Sequence, residues 1–443
     1  MENIIGERIK NIRKELKLTQ SELAGNEMTK SMLSQIENGI AVPSMKNLQY
    51  LAGRLGKPIS YFLDEDGVKE QENEKNIYTE EINRYITEAQ NLNDDDKYEE
   101  AKIKIEDLLQ KHVFSHSSKI YADILKVYSE PLINLKDFKQ GENIIKECVK
   151  IYINNNLYAD AAKVYQNLIF QALMNFEYSK CLSILDEAYE IYLKSPIKDI
   201  MFEIENHYNR MGAYHSMGDM HKTLSIAQEA IDISRKTNIY YMADEIYRMK
   251  ALTYLILDKY DEFKYNIQKA IQFSEFTESK WSRISIELNL ALYENEINNT
   301  DEALKHIEKY RKLIGKDSNW YIHQKSILLY KLGDYIKAFE IIKRYDYSVN
   351  RFSKVDYLFT WTLKIYEGLI LHKLNKSQEG IKSISTGIEK LSIHSNSKYL
   401  SFAYKALSEV YEELGDFKAA FEASKKSIEI KEALIKDGQV YPY

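Results

Sequence analysis

Residues 414–420 read Leu-Gly-Asp-Phe-Lys-Ala-Ala: a turn carrying Gly and Asp, then an aromatic side chain, then a small residue three positions on, where two helices can pack closely. The same order recurs as LGDYIKA at 332–338, NDDDKYEEA at 93–101, LKDFKQG at 135–141 and MGDMHKT at 217–223. The aromatic-equivalent positions are Tyr98, Phe138, Tyr178, Met220, Tyr260, Thr300, Tyr335, Ser377 and Phe417, separated by 40, 40, 42, 40, 40, 35, 42 and 40 residues. A period in this range, with two amphipathic helices per unit, indicates a helical solenoid. No proline falls between Pro196 and Pro442, and proline breaks helix interiors, so the stretch accommodates an unbroken series of helices.

The unit resembles the tetratricopeptide repeat, with a period about six residues longer than the usual 34. The expected body is a right-handed superhelical array of about nine repeats over residues 77–443, its concave surface built from the first helix of each unit. Aligning the units puts Asn167, Asn209, Asn289 and Gln324 at one equivalent position, where such repeats commonly point inward. A primary amide both donates to and accepts from an extended peptide backbone. Neighbouring inward candidates are Gln166, Tyr208, Arg248, His323 and Tyr366, and Arg248 is suited to a carboxylate such as a peptide C-terminus. Residues 64–76, DEDGVKEQENEKN, read as a polar, acidic linker before the array.

Upstream of that linker, residues 1–63 break into five short helical segments. Ile5, Ile9, Ile12 and Leu16 share one face of the first. Thr19 opens T-Q-S-E, a capping box that starts a helix at Gln20. Thr29 caps a further helix over Lys30–Asn38, in which Leu33 and Ile36 face the core and Lys30, Ser31, Ser34 and Gln35 face outward. Ser44 starts a fourth helix with Leu48, Leu51 and Leu55, and Pro58 precedes a last turn with Tyr61, Phe62 and Leu63.

The ordered blocks LTQSELA, TKSMLSQIENG and PSMKNLQYLAGRLG resemble the phage-repressor-type helix-turn-helix domain of bacterial regulators, over residues 4–63. In that family the second helix of the motif lies in the major groove. The resemblance places Thr29 at the start of that helix and Lys30, Ser31, Ser34 and Gln35 at base edges, with Gln20 and Asn38 against phosphate. Between Ala24 and Thr29 the chain is about one residue shorter than the usual pattern.

Charge divides the chain in the same place. Residues 1–63 hold nine Lys/Arg against six Asp/Glu, whereas the whole chain of 443 residues has a net charge of −6. A basic head on an acidic body suits a protein in which the head alone meets phosphate. With 44% hydrophobic and 29% charged residues, no apolar run approaches the ~20 residues that span a bilayer. Met1–Lys10 form no signal peptide, so the expected location is cytoplasmic, and Cys148 and Cys181 are expected as reduced core residues. His207, His215 and His221 lack the spacing of a zinc helix; no phosphate loop, nucleophile elbow or dinucleotide turn is present. Neither a metal, a cofactor nor an enzymatic activity is expected.

A repressor-type head joined to this length of array is similar to the peptide-pheromone receptors of Gram-positive bacteria, of the Rgg/PlcR/PrgX/NprR type. That resemblance implies a homodimeric transcription regulator whose binding to an operator on double-stranded DNA is controlled by a short signalling peptide on the concave face. The rival readings are a repeat-based protein-interaction regulator, such as a response-regulator inhibitor or phosphatase, and a constitutive repressor whose repeats serve dimerisation.

Overall fold

The computed structural model describes residues 2–25, 27–63, 68–348, 353–394 and 397–436, and among them there is no strand. The chain is all-α and divides into two compact units, the first comprising the chain up to residue 95 with 104–110, the second 96–103 with 111 onward.

The head of the first unit consists of α1 (Glu2–Glu15), α2 (Gln20–Ala24), α3 (Lys30–Glu37), α4 (Met45–Leu55) and α5 (Ser60–Leu63). Each start is local chemistry. Thr19 and Glu22 form the full capping box of α2, and the hydroxyls of Thr29 and Ser44 accept from the backbone of Met32 and Asn47 to cap α3 and α4. Ile9, Leu23, Leu33, Ile36, Leu48, Leu51 and Phe62 close one core, each contributing about 1.5–3 kcal/mol. Gly6 sits where α1 and α3 touch: a Cβ there would lie 2.0 Å from the Ile36 carbonyl oxygen. Leu16 is a correction to the expected face. The helix ends at Glu15 and the chain turns through Lys17 at φ 57°, which leaves Leu16 exposed.

Helix α6 (Val68–Asp94) covers residues 68–76, part of the segment read from sequence as a polar, acidic linker. Glu, Lys and Gln are good helix formers, and no proline interrupts them. Residues 64–67 of that segment lie outside the described residues.

Among the described residues, the helices from α6 onward come in nine pairs in chain order. The first three are α6 with α7 (Tyr98–Lys111), α8 (Lys119–Asn134) with α9 (Phe138–Asn154), and α10 (Tyr158–Tyr165) plus α11 (Ile169–Met174) with α12 (Tyr178–Tyr192). Next come α13 (Ile200–Met217) with α14 (Met220–Thr237), α15 (Ala243–Ile256) with α16 (Tyr260–Phe276), and α17 (Lys280–Glu296) with α18 (Thr300–Ile314). The last are α19 (Asn319–Lys331) with α20 (Tyr335–Ile342), α21 (Lys354–Lys373) with α22 (Ser377–Leu391), and α23 (Lys398–Glu413) with α24 (Phe417–Lys436).

All nine aromatic-equivalent positions of the sequence repeat are the first residue of the second helix. Two residues before each stands a backbone with positive φ: Asp96, Lys136, Phe176, Gly218, Asp258, Asn298, Gly333, Asn375 and Gly415. Where Asp separates the two, at 137, 219, 334 and 416, its carboxylate accepts from a backbone amide of the new helix. The position three residues into that helix is buried in every pair, from Ala101 to Ala420. In the pair opened by Ser377 the fit is tightest, since a Cβ on Gly368 would lie 2.5 Å from the Gly380 carbonyl. Apolar clusters run from pair to pair, as where Ile284, Ala303, Ile307 and Leu328 join α17, α18 and α19.

Candidate nucleic-acid interface and ligand cavity

On α3 the side chains of Leu33 and Ile36 point into the head, which turns Lys30, Ser31 and Gln35 to solvent and leaves Ser34 half-buried. Thr29 and Asn38 bracket this face. The Thr29 hydroxyl accepts from Met32 N at 3.2 Å; Asn38 Oδ1 accepts from Lys10 Nζ at 3.2 Å, and Asn38 Nδ2 donates to Ser34 Oγ at 3.5 Å. Gln20, expected against phosphate, donates from Nε2 to Glu37 Oε2 at 2.8 Å. Glu37 also takes Arg13 Nε at 2.5 Å and Nη2 at 2.8 Å, and Arg13 Nη1 reaches the Leu18 carbonyl at 2.8 Å. Sequence reading missed this pair, which fixes α1, α2 and the presenting helix as one body. It also missed the exposed aliphatic run of Ile40, Val42 and Met45 that follows α3.

In the repeat domain the predicted ligand residues separate into three groups. Asn167 lies in a single 3-10 turn, Gln166–Leu168, between α10 and α11, and Asn209 is half-buried on α13. Tyr208, Arg248 and Asn289 belong to a bracing network. Arg248 donates from Nε and Nη2 to Glu245 Oε2 at 3.0 and 2.7 Å, the Tyr208 hydroxyl donates to the same oxygen at 3.3 Å, and Ser282 Oγ donates to Glu245 Oε1 at 2.6 Å. Burial pushes the Glu245 carboxyl up, but Arg248 outweighs it and holds the group below the usual range. Asn289 Nδ2 donates to the Arg248 carbonyl at 3.4 Å. The guanidinium expected to meet a ligand carboxylate is thus occupied by one three residues earlier on its own helix.

His323, Gln324 and Tyr366 do converge, on a cavity of about 240 Å³ lined by the first helices of five successive pairs, α15, α17, α19, α21 and α23. His323 Nε2 lies 2.9 Å from the Phe359 carbonyl, which accepts only, so Nε2 carries the proton and Nδ1 accepts from Gln324 Nε2 at 3.1 Å. Gln324 Oε1 in turn accepts from Asn295 Nδ2 at 3.5 Å. Burial holds His323 down at about 4, so the ring is neutral at physiological pH. Around this relay the wall is aromatic: Phe359 packs 5.5 Å from Tyr399, and Tyr366 packs 5.3 Å from Phe402. Leu252, Leu255, Leu292 and Ile327 complete it. The missed residues stand three or four apart from one another or from predicted ones on the first helices, as Phe359 and Thr362 do with the predicted Tyr366, a spacing that marks one helix face.

Comparison with known proteins agrees with this division. Residues 9–62 match the helix-turn-helix family. A stretch of 74 residues, 16% of the chain, is 42% identical to the immunity repressor protein of Bacillus phage phi105; the chain spans about half (51%) of that relative's length. A Rap protein in complex with Competence and Sporulation Factor aligns with a TM-score of 0.52 at 14% identity, covering 81% of this chain and 99% of that one. PlcR of Bacillus thuringiensis, in complex with the peptide PapR7 and DNA, aligns with a TM-score of 0.39 at 21% identity over 62% of this chain and 96% of that one. The head is therefore a helix-turn-helix domain, and the body behind it has the helical-repeat fold of the Rap protein.

Proposed function

We propose that this chain is a sequence-specific DNA-binding regulator whose operator affinity is set by a short peptide bound among the first helices of the repeat domain. The observation that carries the reading is the outward face of α3, where Lys30, Ser31 and Gln35 stand free of the core on the second helix of a helix-turn-helix motif. A lysine can bond guanine and a glutamine can bond adenine in the major groove. The name of the phage relative, an immunity repressor, supports the DNA role, and a ligand of the Competence and Sporulation Factor kind suits a body of Rap fold. Two heads on a homodimer would read half-sites one helical turn apart or a multiple of it. The peptide need only bind one of two conformations better to redistribute them. The domain limits are 1–63 for DNA and 77–443 for ligand and dimerisation, and the protein acts in the cytoplasm without catalysing a reaction.

The test is an anisotropy titration of the full chain on fragments of its own upstream DNA over a series of salt concentrations, with and without peptides encoded by short neighbouring reading frames. Saturable binding to one fragment, shifted by one peptide, is expected. Binding that is absent at low salt or indifferent to sequence would remove the regulator reading. The likeness to a Rap fold over nearly its whole length favours a second reading, in which the repeats bind a partner protein; a response regulator retained by the chain, with DNA affinity unaffected by any peptide, would establish it.

A further inference from the structure

In a stacked array each unit touches its neighbours, so the turn edges are open to solvent. At Phe417 the side chain is 70% exposed and at Leu332 51%. The edge of the fourth and fifth pairs is different. Met220 is 3% exposed, the one of the nine helix-opening residues that is buried, and Ile256, at the end of α15, is 1% exposed. Both lie in one apolar cluster with Val355 and Leu358 of α21, joined by Leu257. Between α14 and α21 stand three further helix pairs. One turn earlier the ring of Phe176 meets Tyr357 edge-on, centroids 6.4 Å apart, and Lys398 lies 3.9 Å from Asp258 and 3.6 Å from Glu296.

Phe176 supplies an independent sign. It occupies one of the nine left-handed turn positions, at φ 60°, where a bulky side chain is strained and Gly, Asn or Asp would serve better. Asn298 and Asn375 hold that place in other pairs. A phenylalanine there makes sense if its ring is needed, and the ring packs on Tyr357.

We propose that these contacts are a latch. The turns after α11, α13 and α15 clasp the start of α21 and hold the run of repeats shut around the cavity. The cavity, about 240 Å³, is smaller than the roughly 300–1,000 Å³ of ordinary small-ligand pockets, so an extended ligand is accommodated when the latch parts. The closed state competes with any such ligand, and its population lowers apparent affinity by the fraction that is open. The latch stands whether or not the ligand is a peptide and whether or not the head binds DNA.

The experiment uses the full chain without DNA or peptide. Phe176→Asn keeps the turn and removes the ring; Met220→Ser removes the buried apolar contact; Phe417→Ser, at the exposed equivalent position, is the control. Hydrogen exchange is followed in peptides covering residues 354–363 and 119–133, together with small-angle scattering and binding of the apolar dye 8-anilinonaphthalene-1-sulfonate. Exchange in 354–363 is expected to quicken roughly tenfold in either latch variant, with a larger radius of gyration, new dye binding and no change in 119–133. If Met220→Ser unfolds the chain, seen as faster exchange in both segments, Phe176→Asn alone decides. Exchange, scattering and dye binding in Phe176→Asn identical to the control would overturn the latch.

Discussion

Arg13 and Glu37 form a bidentate ion pair that joins α1 to α3 across the head, with the Glu37 side chain fully removed from solvent. Removing one partner leaves a buried charge unpaired, which costs about 3–5 kcal/mol. Arg13→Met should therefore melt the head in a chemical denaturation series, and Arg13→Met with Glu37→Leu should recover most of the loss. Burial pushes the Glu37 carboxyl up, but hydrogen bonds from Arg13 and Gln20 hold it below the usual range. A depressed carboxyl stabilises above its unfolded value, about 4.3, and that contribution disappears as pH falls through the folded value. Acid should unfold the wild-type head over that interval and the double variant less steeply.

On DNA, Lys30→Ala and Gln35→Ala should each cost about 1–3 kcal/mol at one base position and relax the preference there. Gln20→Ala should weaken all fragments alike and also lower the head's melting temperature, because its amide supports Glu37.

The crossing of α21 and α22 gives a packing test. Gly368→Ala drives a methyl to 2.5 Å from the Gly380 carbonyl and should destabilise by about 1–3 kcal/mol in urea. Gly212, inside α13, has nothing within 4 Å of an added Cβ, so Gly212→Ala should stabilise by about 0.5–1 kcal/mol.

Gln166 is buried, with neither amide atom hydrogen-bonded. Gln166→Met, of similar length, should raise the urea midpoint, by an amount corresponding to about 1–3 kcal/mol. A lowered midpoint would show that the amide has a function in the folded chain.

Two buried histidines, His215 and His323, are held down at about 4 by burial. Each prefers to be neutral when folded, so the stability they permit is present above the unfolded value near 6.5 and declines as pH falls toward 4. Urea midpoints at pH 7 and pH 5 should differ, and His323→Gln should narrow the difference.

How far the sequence could be read depended on the range of the interaction. The turn of each repeat is a local event, and all nine positions chosen by spacing open a helix, even at Ser377, where the residue pattern is poorest. The head was legible for the same reason, since Thr19, Thr29 and Ser44 cap helices within three residues of themselves. The candidate ligand surface was less so. Gln324 and Tyr366 reach the cavity, but Asn289 spends its amide on the Arg248 carbonyl, 41 positions away and so about one repeat earlier; the period brings the two side by side without saying that the amide is used between helices. Arg248 is the instructive case. Glu245 precedes it by three residues, the spacing of a helical ion pair, so the neutralised guanidinium was within reach of the sequence.

The nine left-handed turns carry a consequence for the length of the chain. Since each period opens on the same backbone, excising residues 260–299 would splice Lys259 to Thr300 and keep the turn at Asp258 and the phase of every downstream helix. A new α15–α18 interface would replace those that α16 and α17 make. What would be lost is the count: Met220 and Leu358 would stand one repeat closer along the array, and a clasp measured in whole repeats would no longer meet itself.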